Sequence, residues 1–253
     1  MVVGGGSGMG RATAELLTTK GVAVAILDLP DSQGRAAAEE LGARFVACDI
    51  LDHAGTEEAI NAAANSLGAL HIGVNVAGGG APARRVINAD GPCSLEDFRR
   101  VVEINLVASF NLDRMEAWHM SRNDPEDGER GVIINMSSVA AYEGPVGRVP
   151  YSASKAGVAG LSMGMARDLA PYGIRCMAIA PAMFETALIA SLPDAHRDSL
   201  LGENVFPKRM GRPEEFAKLA IAIVENAMLN GGTIRLDAAT RRAVHDNLGD
   251  RLF

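Results

Sequence analysis

Cysteine is scarce in this 253-residue chain: Cys48, Cys93 and Cys176 stand alone, at spacings that suit neither a disulfide framework nor a zinc site. They read as reduced thiols, the state expected of a cytoplasmic protein. Positive charge is in deficit too. A net charge of −7 argues against nucleic acid or an anionic membrane as a general partner. No apolar run approaches the roughly 20 residues that a spanning helix needs. Nor does a signal or transit pattern precede the first glycine-rich turn, which arrives almost at once. Only Met1, Val2 and Val3 come before Gly4, whereas a strand takes about five residues. That leaves a truncated strand or a start downstream of the true one, and the expectation is the second. What is present suits one large α/β domain with a substantial core: 48% hydrophobic and 22% charged residues, without internal repeats or linkers.

Val2–Val3, then GGGSGMG, then RATAELLTTKG read as strand, turn and helix. Glycines there let the backbone approach a pyrophosphate, and the helix amino terminus offers free N–H groups and a favourable dipole. Such a cluster is also compatible with a plain flexible turn or with S-adenosylmethionine. The next strand, Val22–Leu27, ends in Asp28, eighteen residues after Gly10. An acid at that place accepts hydrogen bonds from ribose hydroxyls and repels a 2′-phosphate, and no Arg or Lys stands at Ser7, Leu29 or Pro30 to welcome one. NAD is therefore expected over NADP. A helix over Ser32–Leu41, a strand at Arg44–Cys48, a helix over Thr56–Leu67 and a strand at His71–Val74 follow. Gly78–Ser94 is long and rich in Gly, Pro and Ala, as functional loops at the carboxyl ends of parallel strands tend to be. Its Arg84 and Arg85 would meet substrate phosphates or simply be solvated.

Leu95–Met120 reads as one long helix with Asn105 inside it, and a buried asparagine in a helix is costly unless bonded. After the polar loop Arg122–Arg130, the strand Gly131–Met136 delivers Ser137 and Ser138. Tyr151 and Lys155, four apart at the head of a helix, project from one face. A neighbouring ammonium favours phenolate and lowers a tyrosine pKa from about 10; bringing it near neutrality takes roughly 4 kcal/mol. Alone, this spacing is common on helix surfaces. Strands at Arg175–Ala180 and Gly232–Asp237 and a helix over Pro213–Glu225 complete the pattern.

Taken together in order, the glycine turn Val3–Gly10, Asn75–Gly78, Asn105, Ser138, Tyr151 and Lys155 resemble the short-chain dehydrogenase/reductase family over nearly the whole chain. The runs LDLP, SLEDFRRVVEINL, NDPEDGERGVIIN, YSASKAG, ARDLAPYGIR and IRLD are similar to its type-II 3-hydroxyacyl-CoA dehydrogenase branch. The resemblance implies a doubly wound parallel sheet of Rossmann type as a single domain, and reversible NAD-linked oxidation of a secondary alcohol, with a 3-hydroxyacyl-CoA thioester preferred and a steroid or other small alcohol as the alternative. A non-catalytic NAD-binding scaffold would have kept the glycines and Asp28 without needing the other four.

It further implies that Tyr151 is the acid/base and Ser138 binds the same substrate oxygen. Lys155 would tune the tyrosine and hold the nicotinamide ribose, while Asn105 kinks its helix and completes a proton relay. Gly4, Ser7, Gly8, Met9 and Gly10 would cradle the pyrophosphate. Asp49 and Ile50 would flank adenine, with Asp49 as a mere helix cap the competing reading. Asn75, Val76, Ala77 and Gly78 would form a backbone wall, and Pro181, Phe184 and Thr186 the nicotinamide end. No metal is implied. Leu188–Lys208 would be a substrate lid. The small residues Ala153, Gly157, Gly160 and Gly164 form a stripe suited to a subunit contact in a homo-oligomer, a tetramer, or to close packing on the chain's own sheet. The tail Ala238–Phe253 is longer than that branch usually carries and shows no readable function; its plainest reading is a surface helix at a subunit contact. Three departures from the family pattern stand out: Val3 replaces threonine, Val76 replaces the second asparagine, and Ala182 replaces glycine after Pro181.

Overall fold

The computed structural model describes residues 1–80, 83–185 and 204–241. Apolar runs become parallel strands because helices cover both of their faces. The strands are β1 (Val2–Val3), β2 (Ala25–Asp28), β3 (Arg44–Ala47), β4 (Ile72–Asn75), β5 (Gly131–Met136), β6 (Ile174–Pro181) and β7 (Thr233–Leu236). They form one seven-stranded sheet in the order β3-β2-β1-β4-β5-β6-β7, every pairing parallel. The order reverses between β1 and β4, the switch point at which such sheets open a crevice at their carboxyl ends.

Alternation along the strands sends neighbouring side chains to opposite cores. Val3, Ile133 and Cys176 pack against α3 (His53–Leu67) and α5 (Ala108–Met120). Val2, Ile134 and Met177 pack instead against α1 (Gly8–Thr19), α2 (Gly34–Leu41) and α8 (Pro213–Val224). The helix α7 (Val149–Leu169) runs on the first side. Each core buries aliphatic side chains at about 25 cal/mol per Å² of apolar surface.

Several boundaries differ from the sequence expectation. The strand β2 starts at Ala25 because Val22 is spent on the turn after α1, its N–H donating to Leu17 O at 3.1 Å. The helix α3 starts at His53, three residues early, because Asp52 caps it by accepting Gly55 N–H at 3.0 Å. Gly78–Ser94 holds a small antiparallel hairpin, Ile87–Asn88 with Gly91–Pro92. The expected long helix is α4 (Leu95–Val102), a π-turn over Glu103–Val107, then α5. The strand β1 has two residues, yet it pairs on both sides, Val2 with Ile26 and Val74.

Arg175, 5% exposed on β6, ties the end of α8 and the turn after it to the sheet. Its guanidinium donates to the carbonyls of Ile223, Val224, Asn226 and Leu229 at 2.8–3.3 Å, and to Glu129 at 2.9 Å. Ile223 and Val224 stand at the end of α8, where carbonyls run out of helical partners, and Asn226 and Leu229 in the turn after it. Among the described residues, no helix is long and apolar enough to cross a membrane.

Candidate active site

A cleft of about 470 Å³ opens over the carboxyl ends of β1, β2 and β4. Its walls include Gly4, Ser7, Gly8, Met9, Asp28, Asp49, Ile50, Val76, Ala77 and Gly78, ten of the residues expected at a dinucleotide. Gly4 takes φ +79, and a Cβ there would stand 2.8 Å from Ala77 N, so the turn and the wall touch only because Gly4 is bare. Gly10 is buried behind the cleft, where α1 packs onto the turn. The Ser7 side chain caps none of the first-turn N–H groups of α1, which leaves that helix end available to an anion.

Asp28 is anchored as a specificity residue would be. Its Oδ2 accepts Gly6 N–H at 2.8 Å and its Oδ1 accepts Leu29 N–H at 2.8 Å. A Cβ on Gly6 would lie 2.7 Å from that carboxylate, so this third consecutive glycine, which the motif spacing passed over, makes room for Asp28. Asp49 lines the cleft and accepts Leu51 N–H at 3.0 Å, while the cap of α3 is Asp52. The competing reading of Asp49 as the cap falls. Cys48, Leu51, Ile104 and Met136 also line this cleft; each adjoins or neighbours a motif residue, the signal that could have found them.

Asn75, expected in the wall, is not among the residues that line the cleft. Its side chain, in a residue 3% exposed, turns into the core, donating to Asp113 Oδ1 and Glu116 Oε2 at 3.0 Å and to Asn135 Oδ1 at 3.3 Å. Both acids are fully buried. Burial pushes Asp113 up to about 7 and Glu116 up to about 8, with Asp113 repelling charge on Glu116. Glu116 Oε1 and Asn75 Oδ1 have no partner. The Met1 ammonium, donating to Ile72 O at 2.8 Å, is pulled down to about 6 by its own burial, against the attraction of Glu116.

Asn105 is wholly buried in the π-turn. A π-turn adds a residue to the helical ladder and leaves a carbonyl short of its ordinary partner. Asn105 Nδ2 fills that gap by donating to Val101 O at 2.9 Å, and it also donates to Gly79 O at 2.7 Å. Its Oδ1 accepts Gly79 N–H at 3.2 Å. The asparagine thus joins the bent helix to the wall of the cleft.

Lys155 is 1% exposed and donates to Met136 O at 2.8 Å. Burial pulls its pKa down to about 8. The Nζ lies 5.8 Å from the centre of the Tyr151 ring. A Cβ on Gly78 would stand 2.8 Å from Asn105 Oδ1 and 3.4 Å from Lys155 Nζ. Asn105, Lys155 and the wall therefore meet at one point.

Ser138 follows β5 directly. Its Oγ accepts Ala140 N–H at 3.1 Å, opening the short helix α6 (Ala140–Glu143), which packs on α7. Ser137 instead donates to Lys155 O at 2.8 Å, joining the end of β5 to α7. On its other side Tyr151 lines a separate cavity of about 220 Å³ with Arg84, Cys93, Asp97, Arg100 and Arg148.

Phe184 does not line the main cleft: it is 5% exposed, packed against Gly211, whose bare Cα faces the ring. Pro181 ends β6, paired with Leu236, and is buried. Ala182 has no positive φ, so the alanine replaces glycine without strain there. Thr186, most of the expected lid (188–203) and most of the tail (242–253) lie outside the described residues. The stripe on α7 divides. Gly157 is covered by Leu106 of the chain itself, whereas a Cβ on Gly160 or Gly164 would meet nothing within 4 Å.

Residues 1–197 match the family model for the short chain dehydrogenase. The chain is 44% identical over 245 residues to the 3-hydroxyacyl-CoA dehydrogenase type-2 proteins of Bos taurus and Homo sapiens, covering 95% of this chain and 94% of each relative. The crystal structure of 3-hydroxyacyl-CoA dehydrogenase type-2 from Mycobacterium avium superposes with a TM-score of 0.92 at 38% identity, with 96% of each chain covered. Dehydrogenases of this kind use a nicotinamide cofactor. With a switch-point cleft, a bare glycine turn and a buried lysine beside a tyrosine, this chain belongs to the short-chain dehydrogenase family, as an oxidoreductase of the branch to which those type-2 proteins belong.

Proposed function

We propose that the protein interconverts a secondary alcohol and a ketone with NAD, its preferred substrate a 3-hydroxyacyl-CoA thioester. The observation that carries this reading is the meeting of Gly78, Asn105 and Lys155 between the main cleft and the cavity beside Tyr151. A dinucleotide fits the residues present. The uncapped amino terminus of α1 suits its pyrophosphate, Asp28 suits a ribose diol, and the bare Gly4 and Gly78 leave room for it. When bound, it would supply the hydride acceptor.

The chain's own part is proton handling and orientation. Tyr151 takes the proton from the substrate hydroxyl as the carbinol C–H bond breaks, and Ser138 donates a hydrogen bond to the same oxygen. Lys155 favours the phenolate while charged; at about 8, its pKa also lets it pass a proton on. Asn105 holds the loop over that lysine and completes the relay. The names of the relatives, and the 220 Å³ cavity with three arginines in its wall, support an acyl-CoA thioester. A homo-oligomer, as a tetramer, suits the open Gly160 and Gly164 and the half-exposed Phe110 and Trp118, and the free cysteines suit the cytoplasm.

Turnover of short and medium 3-hydroxyacyl-CoA thioesters is the expected result of a substrate panel that includes steroid and simple secondary alcohols. A NAD-saturable protein that oxidised those alcohols and no thioester would overturn the substrate assignment. For the cofactor, catalytic efficiency with NAD should exceed that with NADP at least about tenfold, or 1.4 kcal/mol, and Asp28→Ala should narrow the gap. Equal rates with both in the unaltered protein would sink that assignment.

A further inference from the structure

Polar rungs lace α3 to the segment beside it at helical spacing. His53 Nε2 lies 2.7 Å from Glu103 Oε1, Glu57 meets Arg114, and Asn61 Oδ1 lies 2.7 Å from His119 Nε2. Residues 53, 57 and 61 share one face of α3. The two lower rungs join regular helix to regular helix. The uppermost ends on Glu103, the first residue of the π-turn that carries Asn105.

The anchor at that rung is firm on the α3 side. Asp52 caps the helix, Thr56 Oγ1 donates to Asp49 O at 3.0 Å, and Asn111 Nδ2 donates to His53 O at 3.3 Å. A carboxylate only accepts, so His53 Nε2 carries the hydrogen. Its Nδ1 is buried without a partner, which leaves Glu103 as the ring's one polar contact. The π-turn has an obvious competitor, the ordinary α-helical register. A slip by one residue would turn each side chain by about 100°, given 3.6 residues per turn. Asn105 would then swing away from Gly79 O and Val101 O. Inside the bend Asn105 itself resists the slip; outside it, the rung to His53 does.

We propose that His53 is a positioning residue: by holding Glu103 it fixes the register of the π-turn, and thereby aims Asn105 at the Gly78–Gly79 wall. The proposal rests on the relay role given to Asn105 above.

The test is steady-state kinetics on the full-length protein with its best thioester. His53→Ala should lower kcat on the order of tenfold, short of the roughly hundredfold that a 1 Å misplacement of a reacting group can cost, with KM for NAD unchanged. His53→Gln, which keeps a side-chain N–H donor, should recover most of the rate. Glu103→Ala should match His53→Ala, and the double variant should be no worse than either, because one rung is lost in all three. His119→Ala, which removes the equivalent rung away from the π-turn, should lower Tm similarly and leave kcat alone. Asn105→Ala, run in parallel, separates the two ideas: retained activity there sinks the relay itself. If Asn105→Ala is impaired while His53→Ala and Glu103→Ala both turn over at the parent rate, or His119→Ala loses as much as they do, the positioning role is wrong.

Discussion

Tyr151→Phe is expected to lose at least about a hundredfold in turnover and almost nothing in NAD affinity, since general acid–base catalysis contributes typically 10²–10⁴-fold. Phenylalanine keeps the ring that borders the cavity with Arg84 and Arg148, but no atom remains to take the hydroxyl proton. Lys155→Ala should behave differently. The ammonium is proposed to serve both the ribose and the phenol, so affinity and rate should fall together. The alkaline rise in activity should also move to higher pH, because the tyrosine loses the neighbouring charge that favours phenolate. Titration calorimetry with NAD and a pH–rate profile would check both. Most of the activity surviving in Tyr151→Phe would remove the catalytic assignment, and the proposed function with it.

The largest expected effect on stability comes from Asp113 and Glu116. Their folded-state pKa values, about 7 and about 8, stand above the ordinary carboxyl values of 3.8 and 4.5. Between those limits the folded chain holds protons that the unfolded chain has released. By linkage, stability falls as pH rises through that window. The Met1 ammonium, lowered to about 6, works in the opposite sense but is one group against two. Asp113→Asn and Glu116→Gln should each flatten the decline and raise Tm at pH 8 by several degrees, at roughly 2–4 °C per kcal/mol in a domain of this size. At pH 4.5 the gain should vanish. Thermal scans at both pH values check this, and a parent protein as stable at pH 8.5 as at pH 5 would contradict it.

Neither acid announces itself in the sequence, where residues three apart on a helix are ordinarily a solvated pair. Only the sheet behind them makes them a buried one. The sheet itself was legible, because strands covered on both faces read as apolar runs such as GVIINM, and the glycine turn marks the switch point. Asn105 was legible as a cost that needed bonds. The π-turn around it was not, since one inserted residue barely disturbs helical periodicity. Val76, Ala77 and Gly78 line the cleft, but the inward direction of the Asn75 side chain depends on the alternation along β4. The packing of Phe184 on Gly211 is not legible in the sequence, because Gly211 is a partner far along the chain that only the fold brings near.

Arg175 bears on how the molecule opens rather than on how it works. One guanidinium gathers four carbonyls from the end of α8 and the turn after it, and Ala182 N–H donates to Leu236 O on the strand that follows. The segment from Pro213 to Leu236 thus closes on the sheet through a buried cation, beside the pairing of β6 with β7 and the packing of Phe216 and Ile221. Amides along it should exchange with solvent as one cooperative unit, and the floor beneath residues 181–182 exists only while that unit is shut.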